Sequence, residues 1–483
     1  MLRLSIFCLL ISFAIFCHAQ TRAPLALSLN EAILLAVREN PNVQKSQLEQ
    51  VEKKYDVEIE QWKFEPHFAL NVTKTTSQQY SVTQSGQVTN NSTAVQPSIS
   101  LLTPFGTTAT LTSTNDVSDH YHPSLSLGIS QPLVRGFGRA IVEAALYNAL
   151  DSEKIGCLNV ENTLSSTIQA VINAYLDVVL ATNTLKVDQD ALKQAEQSVQ
   201  QTHLFIQAGH KAGVELVTIE ANVASVQARI ENDKISLARM RYQLLQVIGI
   251  DPSSEVKFTT VNPLVLIKKY HIPVLAVAKK MIVEHDIQYQ INQITFHGAT
   301  QRSLLAAENN NLWQLNLEAN VSAGSQGAGG GSQNAGINSL LNGVNQTDSV
   351  KLTLTVPLDE RAAKITLAKL KIAVREAALS LQLEKWSKET DAINGWNTIY
   401  STERSLRLSG HAEELERKAY AVALQKYTYG LSDSLGLQTA QQNLIATQQS
   451  LIGAQISYLK ALVNFDQMLG RTLQTWGLQV KYD

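Results

Sequence analysis

Two stretches of this chain, 225 residues apart, make the same uncommon transition. In SLSLGISQPLVRGFGRA (124–140), Leu125, Leu127 and Ile129 alternate with Ser124, Ser126, Gly128 and Ser130. That is the period-2 pattern of a strand with one apolar face. Pro132 then removes a ladder donor, and from Arg139 the pattern turns helical. SVKLTLTVPLDERAAKI (349–365) repeats the passage without a gap, placing Ser124 on Ser349, Leu127 on Leu352, Pro132 on Pro357 and Leu133 on Leu358. Further on, Gly209 falls on Gly430 and Gly249 on Gly470, both at an offset of 221. A looser match pairs RENPNV (38–43) with VEHDIQ (283–288). Three correspondences in one order predict two tandem copies of a unit reading helix, strand, loop, strand, long helix, turn, helix.

The helical parts carry sustained heptads. Leu164, Val171, Val178, Leu185, Leu192, Val199 and Ile206 recur every seven residues, and after a turn so do Leu216, Val223, Ile230, Leu237 and Leu244. In the second copy the turn is followed by Leu437, Leu444, Leu451, Tyr458 and Phe465. The long helix before it carries Ile365, Ile372, Leu379, Trp386, Ile393 and Tyr400, then Leu408, Leu415, Val422 and Tyr429 after one slip near Ser401. Such repeats predict helices lying along one another. A helix from Arg139 to Gln207 would span roughly 100 Å, against about 50 Å for 214–248 and about 35 Å for 42–64. The two shorter helices can therefore stack end to end beside the long one. A hairpin of this length is mostly surface, so further copies are expected to complete the packing.

Residues 1–19, with Arg3, an apolar run, and Cys17 and Ala19 before the cut, read as a secretory signal peptide. Cys17 also invites lipid attachment, but Phe16 stands where a small residue is usual. The remaining cysteine, Cys157, reads as a small buried hydrophobe on a helix. No later run of about 18 consecutive apolar residues predicts a membrane-crossing helix. A net charge of −2 with scattered basic residues gives no footprint for nucleic acid.

The strands point to a membrane instead. Val350, Leu352 and Leu354 repeat the alternation of Leu125, Leu127 and Ile129, and 68–75 and 312–322 supply the preceding strands. Nine or ten residues with an apolar and a polar side suit an outer-membrane β-barrel, and these six side chains are assigned to its lipid face. A soluble sandwich strand would alternate in the same way. The signal peptide, the polar loop 323–348 and the scarcity of strands favour the membrane. About four strands cannot close a barrel alone; three chains together can.

These residues resemble the TolC family of outer-membrane efflux proteins over essentially the whole mature chain. LSLNEAILLAVRENPNV (27–43) is similar to its amino-terminal helix pair, SQPLVRGFGR (130–139) to its strand-to-helix passage, and YTYGLSDSLGLQTA (427–440) to a hairpin tip. The resemblance implies an α+β membrane protein: a homotrimer whose twelve strands form one barrel in outer-membrane lipid, continued by a helical coiled-coil barrel into the periplasm. It implies work with a periplasmic adaptor and an inner-membrane pump, without catalysis or cofactor. On it the chain divides into leader 1–19, first repeat 20–250, equatorial linker 251–272, second repeat 273–470 and tail 471–483. Gly209 and Gly430 match the periplasmic tip turns, where a β-carbon is expected to distort the hairpin. Tyr427 and Glu215 match the gate, while Gly436 and Thr439 replace its other acidic positions and Asp433 stands nearby as a substitute. An added hairpin at 97–116 has no counterpart in the second copy, and its place inside or outside the barrel is not written in the sequence.

No catalytic or metal constellation competes with this reading. His120 and His122 in DHYHP lack further ligands in the sequence around them, so a solvated loop is the expectation. GAGGGSQ (327–333) has no lysine or following helix to make a phosphate loop. The competing class is a trimeric coiled-coil fibre or adhesin, which has no use for strands returning to the same level at mid-chain.

Overall fold

The structure, a computed structural model, describes residues 25–81, 86–117, 121–254, 256–259, 263–324, 342 and 346–479. The expected leader, His120 and the glycine-rich 327–333 lie outside these residues.

The chain begins with β1 (Leu25–Leu27), α1 (Leu29–Glu39) and α2 (Pro41–Trp62). Ser28 and Glu31 form a reciprocal cap at the start of α1. Asn40 then caps α2 through the amides of Asn42 and Val43, with Pro41 in the first turn where no donor is needed. Four strands follow: β2 (His67–Ser81), β3 (Gly86–Leu102), β4 (Thr108–Val117) and β5 (Tyr121–Pro132). The next helix does not run unbroken from Arg139. A short α3 (Arg139–Val142) ends at Glu143, whose ψ of 3° leaves the helical region, and α4 (Ala144–Gln207) starts after it. The turn at Gly209 leads to α5 (Val214–Ile248).

A short stretch follows: β6 (Val256–Phe258), which pairs with β1 in parallel, and α6 (Pro263–Ile267). Then come α7 (Leu275–His285), α8 (Ile287–Thr295), a π-turn at Phe296–Thr300 and α9 (Gln301–Asn310). The hairpin strands β7 (Gln314–Gly324) and β8 (Thr347–Thr355) lead into α10 (Arg361–Thr428), α11 (Ser434–Met468) and a final turn, α12 (Thr472–Thr475).

The helices stand in four columns. α4 packs on α2 near the sheet and on α5 towards the tip, and its other flank meets α8 above and α11 below. α10 completes the set against α7, α9 and α11. Shorter helices thus meet end to end beside each long one. Gly249 makes the first junction possible: at φ +92° it passes so close to the α1–α2 joint that a β-carbon would lie 2.8 Å from the Asn40 Cα. Gly470, at φ +69°, passes the α7–α8 joint in the same way, 2.8 Å from the His285 Cβ. The helix caps at these joints are Asn40 and Asp286, so the phase differs by one residue from the alignment that paired Asn40 with His285. Cap geometry sets that phase, and it reads through one atom that an identity match does not see.

The main core lies where α1, α4, α5 and α11 converge, around Ile33, Ile168, Ile172, Tyr175, Leu244 and Leu459. An 18-residue window of α4 is apolar enough by composition to cross a membrane, but over half of it is buried in this core.

Among the described residues, six strands form one sheet in the order β2-β3-β4-β5-β7-β8, antiparallel at every step. The expectation of about four strands is therefore too low. The added hairpin is longer than 97–116, and it lies within the sheet between β2 and β5.

Candidate functional site, the strand wall and the helical tips

Register carries the apolar alternation across the whole sheet. Leu127 faces Leu111 on β4, which faces Ile99 on β3, which faces Phe68 on β2. On the other side Leu127 faces Val321, and Ile129 faces Ala319, which faces Val350. Leu125, Leu127, Ile129, Val350, Leu352 and Leu354 thus share one face and are all exposed in the single chain. The opposite face carries Thr110, Thr112, Ser126, Gly128, Ser130, Asn316, Asn320 and Thr353, with Lys351 beside Glu318 at 3.6 Å. Burying that apolar face in water-free surroundings is what alternating barrel strands do. Exposed Trp62, Phe105, Phe137 and Trp313 all lie at the end of the sheet where strands meet helices.

At the far end, roughly 100 Å away by helix rise, the two hairpin tips lie against each other. Tyr427 near the end of α10 is fully buried, and its hydroxyl meets that of Thr202 on α4. Phe205 packs edge-on against the same ring, with centroids 6.1 Å apart. Lys211, in the first turn, places its ammonium 3.5 Å above the Tyr427 ring and donates to the Ser432 carbonyl at 3.2 Å. Glu215 neutralises it at 3.0 Å. Of the three expected gate residues, Tyr427 and Glu215 therefore meet through Lys211. Asp433 does not join them; its carboxylate accepts the Gly436 amide at 2.9 Å and caps α11. Gly209 and Gly430 have φ of +73° and +72°, as their turns require. Nothing lies within 4 Å of a β-carbon at either, so the constraint there is backbone conformation alone, not space.

Further polar contacts tie the hairpins together above the tips. Buried Asn222 on α5 donates to Gln441 on α11 at 3.2 Å, and Gln441 donates to the Ala191 carbonyl of α4 at 3.0 Å. Higher still, buried Asp188 is held by Arg229 at 3.5 Å and Gln449 at 3.4 Å. Burial, and then the neighbouring Asp188, push Asp233 up to about 6, against the opposing pull of Arg229.

Sequence reading missed Lys211 and Thr202. A signal for Lys211 was present, since a cation stands four residues before Glu215 across the hairpin turn. Thr202 carries none, because its partner is 225 residues away.

Residues 32–250 match the family described as outer membrane efflux protein. Over that segment the chain is similar to outer membrane efflux proteins. No curated protein sequence matches it. Solved structures share the fold across both halves of the chain. The outer membrane protein VceC of Vibrio cholerae is 14% identical with a TM-score of 0.69, over 92% of this chain and 96% of that one. CusC, a protein that forms a transmembrane channel, is 14% identical with a TM-score of 0.70, over 92% and 93%. The MtrE outer membrane channel of Neisseria gonorrhoeae, solved in its open state, is 16% identical with a TM-score of 0.68, over 92% and 88%. The family that residues 32–250 match is one of outer membrane proteins.

Proposed function

We propose that this chain works as a homotrimer, each copy made of two tandem repeats, forming a passive exit duct. A periplasmic adaptor and an inner-membrane pump deliver cargo to it, and the hairpin tips hold its mouth closed at rest. The observation that carries this reading is a contrast between two heptad stripes, one on each long helix. Leu164, Val171 and Val178 of α4 are buried inside the chain, whereas Ile372, Leu379, Trp386, Tyr400, Leu408 and Leu415 of α10 are exposed. The stripe on α4 finds its partner within the chain, and the stripe on α10 does not. The missing partner is available on the far column of another copy, where Leu48, Val51, Tyr55, Ile59 and Trp62 of α2 form an exposed stripe.

The sheet supports the same contact. Its two edges are β2 and β8, on the columns of α2 and α10. Six alternating strands leave these edges antiparallel, so β8 of one copy can pair with β2 of the next without changing the pattern. Closure removes both edges.

The test is chemical crosslinking and native mass measurement of the protein in detergent. The ladder should end at three copies. A folded monomer, or saturation at two, overturns the proposal. Purified trimer in a planar bilayer should conduct.

A further inference from the structure

We infer that the hairpin β3–β4 is a full part of the barrel wall, so that three copies close an eighteen-stranded barrel rather than one of twelve. The inference rests on the reading that neighbouring copies close the wall.

The ladder comes first. β3 pairs with β2 from Ser100 to Gly86, and β4 with β5 from Thr108 to Val117, so the hairpin sits between strands that both belong to the wall. Its alternation agrees with theirs: Ile99 and Leu111 share the face of Leu127, and Thr110 and Thr112 that of Gly128 and Ser126.

The glycines of SQPLVRGFGR, otherwise unexplained, then acquire a purpose. The β3–β4 turn sits directly against the strand-to-helix passage. The Gly138 amide donates to the Phe105 carbonyl at 3.3 Å, and Thr107 bonds the Gln131 side chain. A β-carbon on Gly106 would lie 2.8 Å from the Gly136 carbonyl oxygen and 3.1 Å from the Pro132 Cγ. Gly106, Gly136 and Gly138 have φ of +91°, +85° and +99°, which L side chains rarely adopt. In the second half the positions matching Gly136 and Gly138 are Arg361 and Ala363, both ordinary helix formers. Among the described residues β8 pairs directly with β7 there, with no further strand between them in the sheet.

Wall width gives an independent argument. Strands about 4.8 Å apart, tilted by about 40°, each take about 6 Å of circumference, so six cover about 38 Å. Four helical columns about 8–10 Å apart cover about 32–40 Å, a range that includes this width. Four strands would cover only about 25 Å. With six strands the sheet and the helices form a wall of equal width, whatever the number of copies. The duct then keeps the bore of its helical part through the membrane, with a backbone radius of about 18 Å for eighteen strands. Its lining is mainly hydroxyl and amide groups, and its Glu318 and Lys351 are paired, so cargo meets its narrowest point at the tips and not in the membrane.

Single-cysteine variants Thr110→Cys and Leu111→Cys, each in a Cys157→Ser background, test this in intact outer membranes with a membrane-impermeant maleimide. Thr110→Cys should label and Leu111→Cys should be protected by lipid. Equal labelling at both overturns the inference. Electron cryomicroscopy of the parent protein in lipid nanodiscs counts the strands directly. Six per copy in the closed wall is the expected result, and a hairpin lying outside a four-strand contribution overturns it. Six strands per copy with a copy number other than three would uphold the wall and refute the trimer instead.

Discussion

The hydroxyl of Tyr427 meets that of Thr202, fastening the tip of the second helical hairpin to the flank of the first. Lys211 covers the same ring, and Glu215 holds Lys211 in place. A buried hydroxyl without its partner costs about 1–3 kcal/mol, and a desolvated cation over an aromatic face is worth about 2 kcal/mol.

The latch should therefore be breakable. Tyr427→Phe combined with Lys211→Met removes both contacts without altering the turns. Resting conductance in planar bilayers should rise at least several-fold. Glu215→Ala combined with Tyr427→Phe should act in the same direction and weaken block by multivalent cations. Parental conductance and block in both double variants would place the closure elsewhere.

Neighbouring positions on one strand should respond oppositely to charge. In the proposed barrel, Leu127→Arg puts a cation on the lipid face at a cost of roughly 2–4 kcal/mol at mid-bilayer. Ser126→Arg puts it in the lumen, where water remains. Yield of assembled protein in the outer membrane should fall for the first and hold for the second. Equal yields would mean that the faces are misassigned.

Two glycines with positive φ should differ in tolerance. Gly209→Ala meets no atom and carries only the left-handed backbone penalty, roughly 1–2 kcal/mol. Gly249→Ala adds a collision with the Asn40 backbone at the α1–α2 joint. Thermal midpoints of the purified variants should drop clearly further for Gly249→Ala.

Acidity should act through Asp233. Its carboxyl is pushed up to about 6 by burial and by Asp188. Because the folded value lies above the unfolded one, the stabilisation it gives is complete below about pH 4. It is lost as pH rises through about 6. Asp233→Asn, neutral throughout, should be more stable than the parent at pH 7–8 and should flatten the dependence between pH 4 and 6. Parallel melting curves for the two proteins across that range would contradict the prediction.

Periodicity made the local elements legible. The helix expected over 214–248 has those ends, because Gly213 and the left-handed Gly249 bracket an unbroken heptad run. The apolar set that shares one face of β5 and β8 follows from alternation alone, since a strand has only two faces. Turn glycines at 209 and 430 were equally readable, because positive φ favours one residue type.

Relations between distant segments were decided by the tertiary structure. Heptads in α4 and α10 look alike, yet one stripe is buried and the other bare, because burial depends on which helix arrives beside it. Alternation in β3 and β4 could not say which strands they would join; hydrogen-bond register and the Gly106–Gly136 approach settled that. Asp433 looked like a charge for the mouth, but a free helix amide lay closer and took it as a cap. Tyr427 was visible as a tyrosine near a turn, while Thr202 and Lys211 became its partners only when two hairpins, each about 100 Å long, came to lie side by side. A repeating pattern carries the face each residue presents, and only packing supplies what that face meets.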